Sequence, residues 1–360
     1  MKVVIAGGGT GGHLYPGIAI AREVLREPGG EVMFIGTEQG IEAKVLPREG
    51  LLVRFIAVGK LKGVKFSEIL KTMITLPWSV VQALKLLREN RPHVVVGVGG
   101  YSSGPVALAA VGLRIPLVVV EPNSYAGFAN RKLGSLADKI ILPFPGTAAQ
   151  RFFPAGKTEL VGPLVRKGIE EGNRSKALAE FGLEAGRFTV FVMGGSGGAH
   201  AINMAMKQAA NYLREMRVFQ ILHQTGEKDV AEVSEAYQEA GVKAVVIPYI
   251  YDMAGAYAVA DLVVSRSGAT TVAELAVCGK RAVLIPFPYA ADNHQEHNAR
   301  TLADCGIADI ILQKDLTAEK LAELIKKYAD RGADLSPVSQ MDNQAAEKIT
   351  RICRTYVQAN

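Results

Sequence analysis

The sequence predicts an α/β protein of two Rossmann-like domains, whose parallel sheets face each other across a cleft. Short apolar strands alternate with helical stretches along the 360 residues, and this pattern occurs twice. Four segments rich in glycine and serine follow predicted strands, two in each half. A break at 161–163, with the sequence Val-Gly-Pro, separates the two patterns and is expected to act as a hinge.

In the first half, the strands are short and apolar on both faces, which is typical of a parallel sheet covered by helices. A helix is expected at 16–27, between the first two strands. The predicted strands of this half are 2–7, 31–36, 51–58, 93–100, 116–122 and 138–143.

The second half repeats this plan, with a helix at 200–216. The last helix, roughly 342–358, is expected to pack back on the first domain. We therefore predict an N-terminal domain over 1–163 that also takes 341–360, and a C-terminal domain over 164–340. The predicted strands of this half are 188–195, 218–226, 243–250, 261–268 and 281–287.

The charge is uneven: residues 1–163 hold 19 basic and 11 acidic side chains, against 22 and 24 in the remainder. This indicates an anionic partner on one side, and nucleic acid, an anionic bilayer and an anionic small substrate all fit. The spacing of Cys278, Cys305 and Cys353 fits neither a disulfide framework nor a zinc site, so we expect reduced thiols in a cytosolic protein. No run of 18 apolar residues occurs, so we expect no transmembrane helix.

The four glycine-rich segments all follow predicted strands, where open α/β sheets bind their ligands. Small residues there let backbone N–H groups approach a ligand, and the next helix offers its positive N-terminus to phosphate. Any one such loop is equally well explained as a tight turn, but four of them predict a polar, anionic ligand. They read GGGTGGH (7–13), GVGGYSSGP (97–105), MGGSGGAH (193–200) and SRSGATT (265–271).

The first segment spells G-x-G-x-x-G at 7–12, the fingerprint of dinucleotide binding. Such a site also needs an acid at the tip of the second strand, which here falls at 36–37. Glu38 lies past that tip and is a poor match. His13 follows the glycines directly, and a titratable imidazole suits a site that receives a hydroxyl or phosphate of a second substrate.

Eight motifs together resemble those of the MurG family of glycosyltransferases, from the first strand to about residue 315. The resemblance implies a glycosyltransferase-B fold and a peripheral enzyme on the cytoplasmic face of the inner membrane. It implies inverting transfer of N-acetylglucosamine from UDP-N-acetylglucosamine to the 4-hydroxyl of the muramyl sugar of lipid I (undecaprenyl-diphosphate-muramyl-pentapeptide), giving lipid II for peptidoglycan. It implies no cofactor and no nucleic-acid partner. The motifs are GGGTGGH, GVGGYSSGP, EPNSYAGFANR, GGSGGAHAIN, HQTG, YDM, SRSGATTVAEL and DNHQEHNA.

The resemblance also assigns residues to the donor. Ile250 would meet uracil through its backbone, Glu274 the ribose, and Gln295 the sugar hydroxyls. The diphosphate would lie by the remaining residues of the C-terminal domain, while the first domain reaches the transferred sugar. The full donor set is Thr10, Gly11, Gly12, Asn123, Arg166, Ser196, Ile250, Ser267, Gly268, Ala269, Thr270, Glu274 and Gln295.

The acceptor set implied by the resemblance lies in the N-terminal domain and comprises Thr10, His13, Tyr101, Glu121 and Asn123. Three positions depart from the family pattern. Many members have glutamine where this chain has Pro122 or Gly197, and some have it where this chain has His294, so the family's finer sugar contacts are not carried over to these positions.

Inverting transfer is a single displacement that needs a base for the acceptor hydroxyl and stabilisation of the leaving UDP. His13 and Glu121 are the two candidate bases, and we favour His13 slightly because its ordinary pKa suits the task. The chain has no Asp-x-Asp pair, so a metal-independent reaction is expected, with helix N-termini and Arg166 stabilising the diphosphate. His294 and His297 lack the H-E-x-x-H spacing and are interpreted as part of a polar sugar-binding turn.

The segment 60–91 is basic and apolar, with seven basic and two acidic residues and the only tryptophan of the chain. It fits either a core-facing helix with a solvated basic side or an interfacial element that meets anionic lipid. The resemblance favours the second interpretation. The residues assigned to the membrane are Leu70, Ile74, Trp78 and Val81, flanked by Lys71 and Lys85.

Three other functions compete with this one. A nucleotide-dependent oxidoreductase would use the fingerprint at 7–12, but the acid at the second strand's tip is missing. A non-catalytic sugar-nucleotide or lipid-binding module would not need the full set of His13, Glu121, Arg166, Glu274 and Gln295. A related transferase that uses UDP-glucose, UDP-galactose or a diacylglycerol acceptor is the nearest alternative.

Overall fold

A computed structural model describes residues 1–58, 66–195, 197–216, 218–330, 338 and 340–358, with the backbone alone at 66–74 and 358. The chain forms two compact units. Unit 1 comprises Met1–Arg166 and Asp342–Asn360, and unit 2 comprises Lys167–Met341. The chain thus leaves unit 1 after Arg166 and returns to it for the last helix.

Within the described residues, unit 1 contains one parallel sheet of seven strands, in the order β3-β2-β1-β4-β5-β6-β7. The strands are β1 (Lys2–Gly7), β2 (Glu31–Gly36), β3 (Val53–Phe55), β4 (Val94–Gly99), β5 (Leu117–Val120), β6 (Lys139–Leu142) and β7 (Thr158–Leu160). The helices are α1 (Gly11–Arg26), α2 (Glu42–Arg48), α3 (Phe66–Asn90), α4 (Ser103–Gly112), α5 (Phe128–Leu133) and the C-terminal helix (Ala345–Gln358).

Both faces of this sheet are buried, because successive side chains of each strand enter different cores. Val3 and Ile5 join a cluster with α1 and the C-terminal helix. Val4 and Ala6 join a second cluster, with α3 and α4. Burying each valine or isoleucine stabilises the fold by roughly 1.5–3 kcal/mol, so strands that are apolar on both faces need helices on both sides.

The C-terminal helix packs on α1 within unit 1. Ile349 and Cys353 are fully buried in the shared core, and burial raises the pKa of the Cys353 thiol to about 12. On the surface, the Arg354 guanidinium donates to Glu27, and this hydrogen bond lowers the pKa of that carboxyl. The helix therefore belongs to the core of unit 1, although it follows the whole of unit 2 in sequence.

Within the described residues, unit 2 contains one parallel sheet of six strands, in the order β10-β9-β8-β11-β12-β13. The strands are β8 (Phe188–Met193), β9 (Phe219–Gln224), β10 (Ala244–Ile247), β11 (Leu262–Ser265), β12 (Ala282–Leu284) and β13 (Ala308–Ile310). The helices are α6 (Arg174–Phe181), α7 (His200–Leu213), α8 (Val230–Glu239), α9 (Met253–Val259), α10 (Ala269–Val277), α11 (His294–Ala303) and α12 (Ala318–Asp330).

The predicted class, two α/β units with parallel sheets, is confirmed. Two edge strands, β7 and β13, were not predicted, because each spans three residues with no apolar run. Helix α1 begins at Gly11, so Pro16 lies inside the helix instead of near its start. The helix therefore starts directly behind the first glycine loop.

Each sheet reverses its winding direction at one point, between β1 and β4 in unit 1 and between β8 and β11 in unit 2. The four strands at these two points are the ones that the four glycine-rich segments follow. Ligands of doubly wound folds bind outside the carboxyl ends of the strands at such switch points. The fold thus places one candidate site in each unit.

Candidate active site

In unit 2, a cavity of about 570 Å³ opens where β8 and β11 end. Its volume is within the usual range for small-molecule sites. The lining residues come from the loops after these strands and from the loops near α11. They are Gly194, Gly195, Gly198, Ala199, His200, Ala201, Arg266, Gly268, Thr271, Phe287, Gln295 and Gln313.

Two glycines beside the cavity are required by backbone packing. A Cβ on Gly198, whose φ is +73°, would lie 1.8 Å from the carbonyl oxygen of Thr225. A Cβ on Gly226 would lie 2.3 Å from the carbonyl oxygen of Gly197. The backbones of the loops after β8 and β9 are therefore closer to each other than a side chain at either glycine would allow. This contact holds the loop after β8 against the carboxyl end of β9.

Two helices begin at the wall of this cavity. Helix α7 starts at His200, and α10 starts at Ala269 with Gly268 as its N-cap. Their first N–H groups and their dipoles favour an anion. At the start of α10, the buried hydroxyl of Thr270 has no hydrogen-bond partner among the described residues, and Thr270 is not one of the residues that line the cavity.

Arg266 supplies positive charge to the cavity and was not singled out from the sequence. Its guanidinium donates to the carbonyls of Ile285 and Pro286 at 3.1 and 3.3 Å and to Oε1 of Gln313 at 2.6 Å. It also stacks over the ring of Phe287, 5.4 Å from the centroid. Burial lowers the pKa of Arg266, yet an arginine stays protonated at neutral pH.

Gln295 is fixed so that it can only donate to a ligand. Its Oε1 accepts from the backbone N–H of Phe287 at 2.9 Å and of Ser267 at 3.3 Å. The Ser267 hydroxyl donates to the Gln295 carbonyl at 2.7 Å. Ser267 therefore orients Gln295 through both its backbone and its side chain, and the Gln295 amide NH₂ is left for the cavity.

A polar network runs from the cavity wall into the core of unit 2. Nδ1 of His200 lies 3.1 Å from both carboxylate oxygens of Asp229, which also accepts from Asn203 Nδ2 at 2.7 Å. Oδ1 of Asn203 lies 3.1 Å from Nε2 of His223, whose Nδ1 lies 2.8 Å from the Tyr237 hydroxyl. Burial lowers the pKa of His223 to about 3, so this imidazole is neutral.

Two predicted donor residues are engaged elsewhere in unit 2. The backbone N–H of Ile250 donates to Gln224 Oε1 at 3.0 Å, so a main-chain contact with a base falls to the Ile250 carbonyl. Glu274 is buried and accepts from the Tyr257 hydroxyl at 2.9 Å. Of the predicted donor set, Gly268 and Gln295 line the cavity.

Two other predicted donor residues, Arg166 and Ser196, have no described contact with this cavity. Arg166 is the last residue of the first segment of unit 1, and its guanidinium carbon lies 5.5 Å from the ring centroid of Tyr15. Its carbonyl accepts from Asn343 at 3.3 Å. Ser196 lies outside the described residues. Their contacts with the donor stay predictions.

In unit 1, the loops after β1 and β4 pack backbone against backbone. A Cβ on Gly100, whose φ is +89°, would lie 2.4 Å from the Gly8 carbonyl oxygen. A Cβ on Gly99, whose φ is +96°, would lie 2.6 Å from Cδ2 of His13. The imidazole of His13 therefore lies directly on the backbone of the β4 loop.

His13 is oriented by its neighbour in the first loop. Oγ1 of Thr10, the N-cap residue of α1, lies 3.2 Å from Nδ1 of His13. The ring is half-buried, and this contact with Thr10 sets its orientation. Tyr101 is partly exposed, and its ring lies 3.9 Å from the position of a Cβ on Gly9. The structure thus brings Thr10, His13 and Tyr101 to the same two loops.

Glu121, at the end of β5, is fully occupied by hydrogen bonds. Its Oε1 accepts from the backbone N–H and the side-chain amide of Asn123, each at 3.0 Å. Its Oε2 accepts from the Gly127 N–H at 2.7 Å and from Asn130 Nδ2 at 3.0 Å. Burial raises the pKa of Glu121 and these donors oppose the rise. The geometry fits a carboxylate that orients Asn123.

Glu42 is a second buried carboxylate of unit 1, and it was not predicted as a site residue from the sequence. Its Oε2 accepts from the backbone N–H of Gly9 at 2.7 Å, and its Oε1 from the N–H and hydroxyl of Thr37, each at 2.9 Å. The contact could not be predicted from the sequence, because Gly9 and Glu42 are 33 positions apart. The close acids and glycines at 36–42 were the available signal.

The predicted sugar-binding turn lies at the start of α11. Asp292 and Asn293 both have a φ of +53°, a left-handed conformation that reverses the chain direction just before α11. Nδ1 of His294 donates to the Ala291 carbonyl at 2.7 Å. Burial lowers the pKa of His297. Among the described residues, no group of three or more His, Cys, Asp or Glu side chains is arranged to hold a metal ion.

Helix α3 presents two different faces. Ala83 and Leu87 are buried against the sheet, while Trp78 and Val81 are 60% and 51% exposed. Lys85 is exposed and lies 3.9 Å from Glu89. In the described part of the chain, no helix combines the length and apolarity needed to cross a membrane. Three predicted membrane side chains lie outside the described residues: Leu70, Lys71 and Ile74.

Two doubly wound units, with glycine loops at both switch points and a cavity lined by Arg266 and two helix N-termini in the second, define a glycosyltransferase of the B-fold type. Residues 3–142 match the family model of the glycosyltransferase family 28 N-terminal domain, and residues 189–354 match that of the glycosyltransferase family 28 C-terminal domain. The chain belongs to glycosyltransferase family 28 and, within it, to the MurG group. The C-terminal match includes most of the helix that packs in unit 1.

Relatives from two bacteria are named UDP-N-acetylglucosamine–N-acetylmuramyl-(pentapeptide) pyrophosphoryl-undecaprenol N-acetylglucosamine transferase. The protein from Thermodesulfovibrio yellowstonii is 45% identical over 92% of this chain and 90% of that relative. The protein from Myxococcus xanthus is 43% identical over 98% of this chain and 92% of that relative. The crystal structure of Acinetobacter baumannii MurG has a TM-score of 0.75 and 28% identity, and covers 98% of this chain and 99% of its own.

Proposed function

We propose that this enzyme transfers N-acetylglucosamine from UDP-N-acetylglucosamine to the 4-hydroxyl of the muramyl sugar of lipid I, forming lipid II in peptidoglycan synthesis. Unit 2 binds the donor, and unit 1 binds the acceptor and the membrane. The observation that carries the proposal is the pair of switch-point sites, one per unit, in a chain 45% identical to a relative named for this reaction. A two-substrate transfer needs two such sites.

The donor diphosphate suits the cavity of unit 2. Helices α7 and α10 point their N-termini at it, and Arg266 adds a fixed positive charge. Gln295 then offers its NH₂ group to oxygen acceptors of the sugar or the phosphates. Together these groups bind an anion and a polar ring without any negative side chain on the cavity wall.

In the reaction, the acceptor oxygen attacks the anomeric carbon while the bond from that carbon to the β-phosphate oxygen breaks. The hydroxyl proton passes to the base, UDP leaves with the bonding electron pair, and the anomeric centre inverts. We assign the base to the imidazole of His13, because it follows the first glycine loop at the switch point of unit 1 and its ordinary pKa suits proton transfer at neutral pH. Glu121 would have to give up one of its four hydrogen bonds to accept a proton, so it acts by holding Asn123.

The leaving UDP carries its new charge on the β-phosphate. The chain lacks the Asp-x-Asp pair that many metal-dependent transferases use, so protein groups stabilise this charge. Arg266 and the two helix N-termini do so from unit 2, and Arg166 is the predicted further cation. We expect turnover in excess EDTA, and a requirement for added divalent cation would contradict this assignment.

The acceptor is a lipid, and we propose peripheral binding to the anionic cytoplasmic face of the inner membrane through α3. Trp78 and Val81 are exposed on this helix. Helix α4 packs against α3 and exposes Leu108 and Val111 as well. Exposed apolar side chains on a basic segment suit the headgroup layer.

The decisive experiment is a transfer assay with UDP-N-acetylglucosamine and a soluble-tailed analogue of lipid I, followed by mass spectrometry of the product. A product heavier by one N-acetylglucosamine residue is expected. A parallel reaction with UDP-glucose tests sugar choice, and reactions with the His13→Ala variant test the base. Absence of product in the presence of both substrates, or equal use of UDP-glucose, contradicts the proposal.

A further inference from the structure

The carboxylate of Glu42 is an unusual group for its place in unit 1. It is completely buried, at 0% exposure, and lies between the tips of β1 and β2. Its acceptors are satisfied by the N–H of Gly9 and by the N–H and hydroxyl of Thr37. A buried carboxylate is held only where hydrogen bonds replace its water, so this arrangement depends on the loop donors.

Three glycines make room for this side chain. A Cβ on Gly8 would lie 2.3 Å from Cδ of Glu42, and one on Gly40 would lie 2.1 Å from its Oε2. A Cβ on Gly36 would lie 2.6 Å from its Cγ. These glycines lie at the ends of β1 and β2 and in the loops that follow. Their lack of a side chain is what allows the Glu42 carboxylate to be buried there.

The first glycine loop is therefore already filled by an anion of the chain itself. In a dinucleotide site, the loop N–H groups meet a pyrophosphate. Here the N–H of Gly9 meets Glu42 instead, and the negative charge beneath the loop opposes a phosphate at the same place. The fingerprint letters at 7–12 thus fix a backbone conformation, and the oxidoreductase alternative loses its phosphate site.

We propose that Glu42 is a positioning residue for His13. The residue it holds, Gly9, precedes Thr10, whose hydroxyl contacts Nδ1 of His13. Fixing Gly9 fixes the start of α1, and with it the direction in which Nε2 of His13 points. The inference rests on the proposed function in one respect only, the assignment of His13 as base.

Glu42→Gln tests this with little change of shape. The amide oxygen keeps the two Thr37 contacts, while the amide NH₂ now faces the Gly9 N–H, so only the loop contact is inverted. Thr37→Val is the matched control, because it removes one hydrogen bond from the same carboxylate and leaves the Gly9 contact. We expect kcat to fall about 10-fold or more in Glu42→Gln with KM for UDP-N-acetylglucosamine within about twofold, and Thr37→Val to keep kcat within about twofold.

Two further readouts separate positioning from general stability. In the His13→Ala background, Glu42→Gln should cause no additional loss of kcat, since residues that act as one unit are not additive. In the substrate-free protein, the imidazole NMR signals of His13 should shift in Glu42→Gln and not in Thr37→Val. Additive losses, equal losses of kcat in both variants, or unchanged His13 signals overturn the inference. The NMR measurement needs no substrate, so it can contradict the role of Glu42 even if the proposed function is correct, and it can support that role even if the proposed function is wrong.

Discussion

Acidification is expected to destabilise unit 2 through one imidazole, that of His223. The ring is buried, its Nδ1 accepts from Tyr237 and its Nε2 donates to Asn203, so no site is left for a second proton. Burial lowers its pKa from 6.5 to about 3. Because the unfolded chain binds the proton first, the stability is fully present above about pH 6.5 and is lost as the pH falls towards about 3.

The difference between these two pKa values corresponds to about 5 kcal/mol of unfolding free energy over the whole range. Between about pH 7 and about pH 5, where the unfolded imidazole becomes mostly protonated, the loss is about 2 kcal/mol. The control is His223→Gln, whose amide offers an acceptor to Tyr237 and a donor to Asn203 but does not titrate.

Urea unfolding followed by far-UV circular dichroism, at about pH 7 and about pH 5, measures this difference. The wild type should lose about 2 kcal/mol more than His223→Gln over this interval, because contributions from carboxylates cancel in the comparison. Equal losses in the two proteins would refute the reasoning. They would mean that His223 takes up its proton inside the folded unit.

Three further predictions concern the two sites and the membrane. Gly99→Ala should lower kcat about 10-fold or more in the transfer assay, because the new Cβ would lie 2.6 Å from Cδ2 of His13, and unchanged kcat would contradict the placement of the ring. Gln295→Glu should weaken UDP binding about 10-fold or more, as measured by calorimetry, because a carboxylate oxygen that can only accept replaces the NH₂ group while the Oε1 contacts persist. Unchanged affinity would exclude Gln295 from the donor site. Trp78→Glu should reduce sedimentation with anionic vesicles and change unfolding free energy by less than about 0.5 kcal/mol, and retained binding would place the membrane contact elsewhere.

Much of the fold was predictable because parallel sheets leave a strong signal. Strands such as β4, apolar on both faces, can be stable only between two helical layers, and the Gly-Ser segments after them marked their ends. The edge strands β7 and β13 were missed because each has only three residues with an acidic one at its centre, whereas the equally short β3 lies within a longer apolar run. The start of α1 was misplaced because Pro16 resembled a first-turn proline.

The candidate site was predictable where function depends on local sequence, as in Thr10 and His13, three positions apart on one turn. It was not predictable where folding brings distant residues together. Arg266 points into the cavity because carbonyls of the following strand's loop hold it, and Glu42 reaches Gly9 across two loops. The role of Glu121 could not be chosen from sequence, because its four donors are visible only in the folded loop.

The return of the chain to unit 1 has a consequence for how the protein is made. Synthesis proceeds from the N-terminus, so the core around Ile349 and Cys353 stays incomplete until all of unit 2 has been translated. Unit 2, in contrast, is one uninterrupted segment that can fold while unit 1 still lacks its last helix. A ribosome that stops a few residues early therefore releases a chain whose defect lies in unit 1, with unit 2 intact.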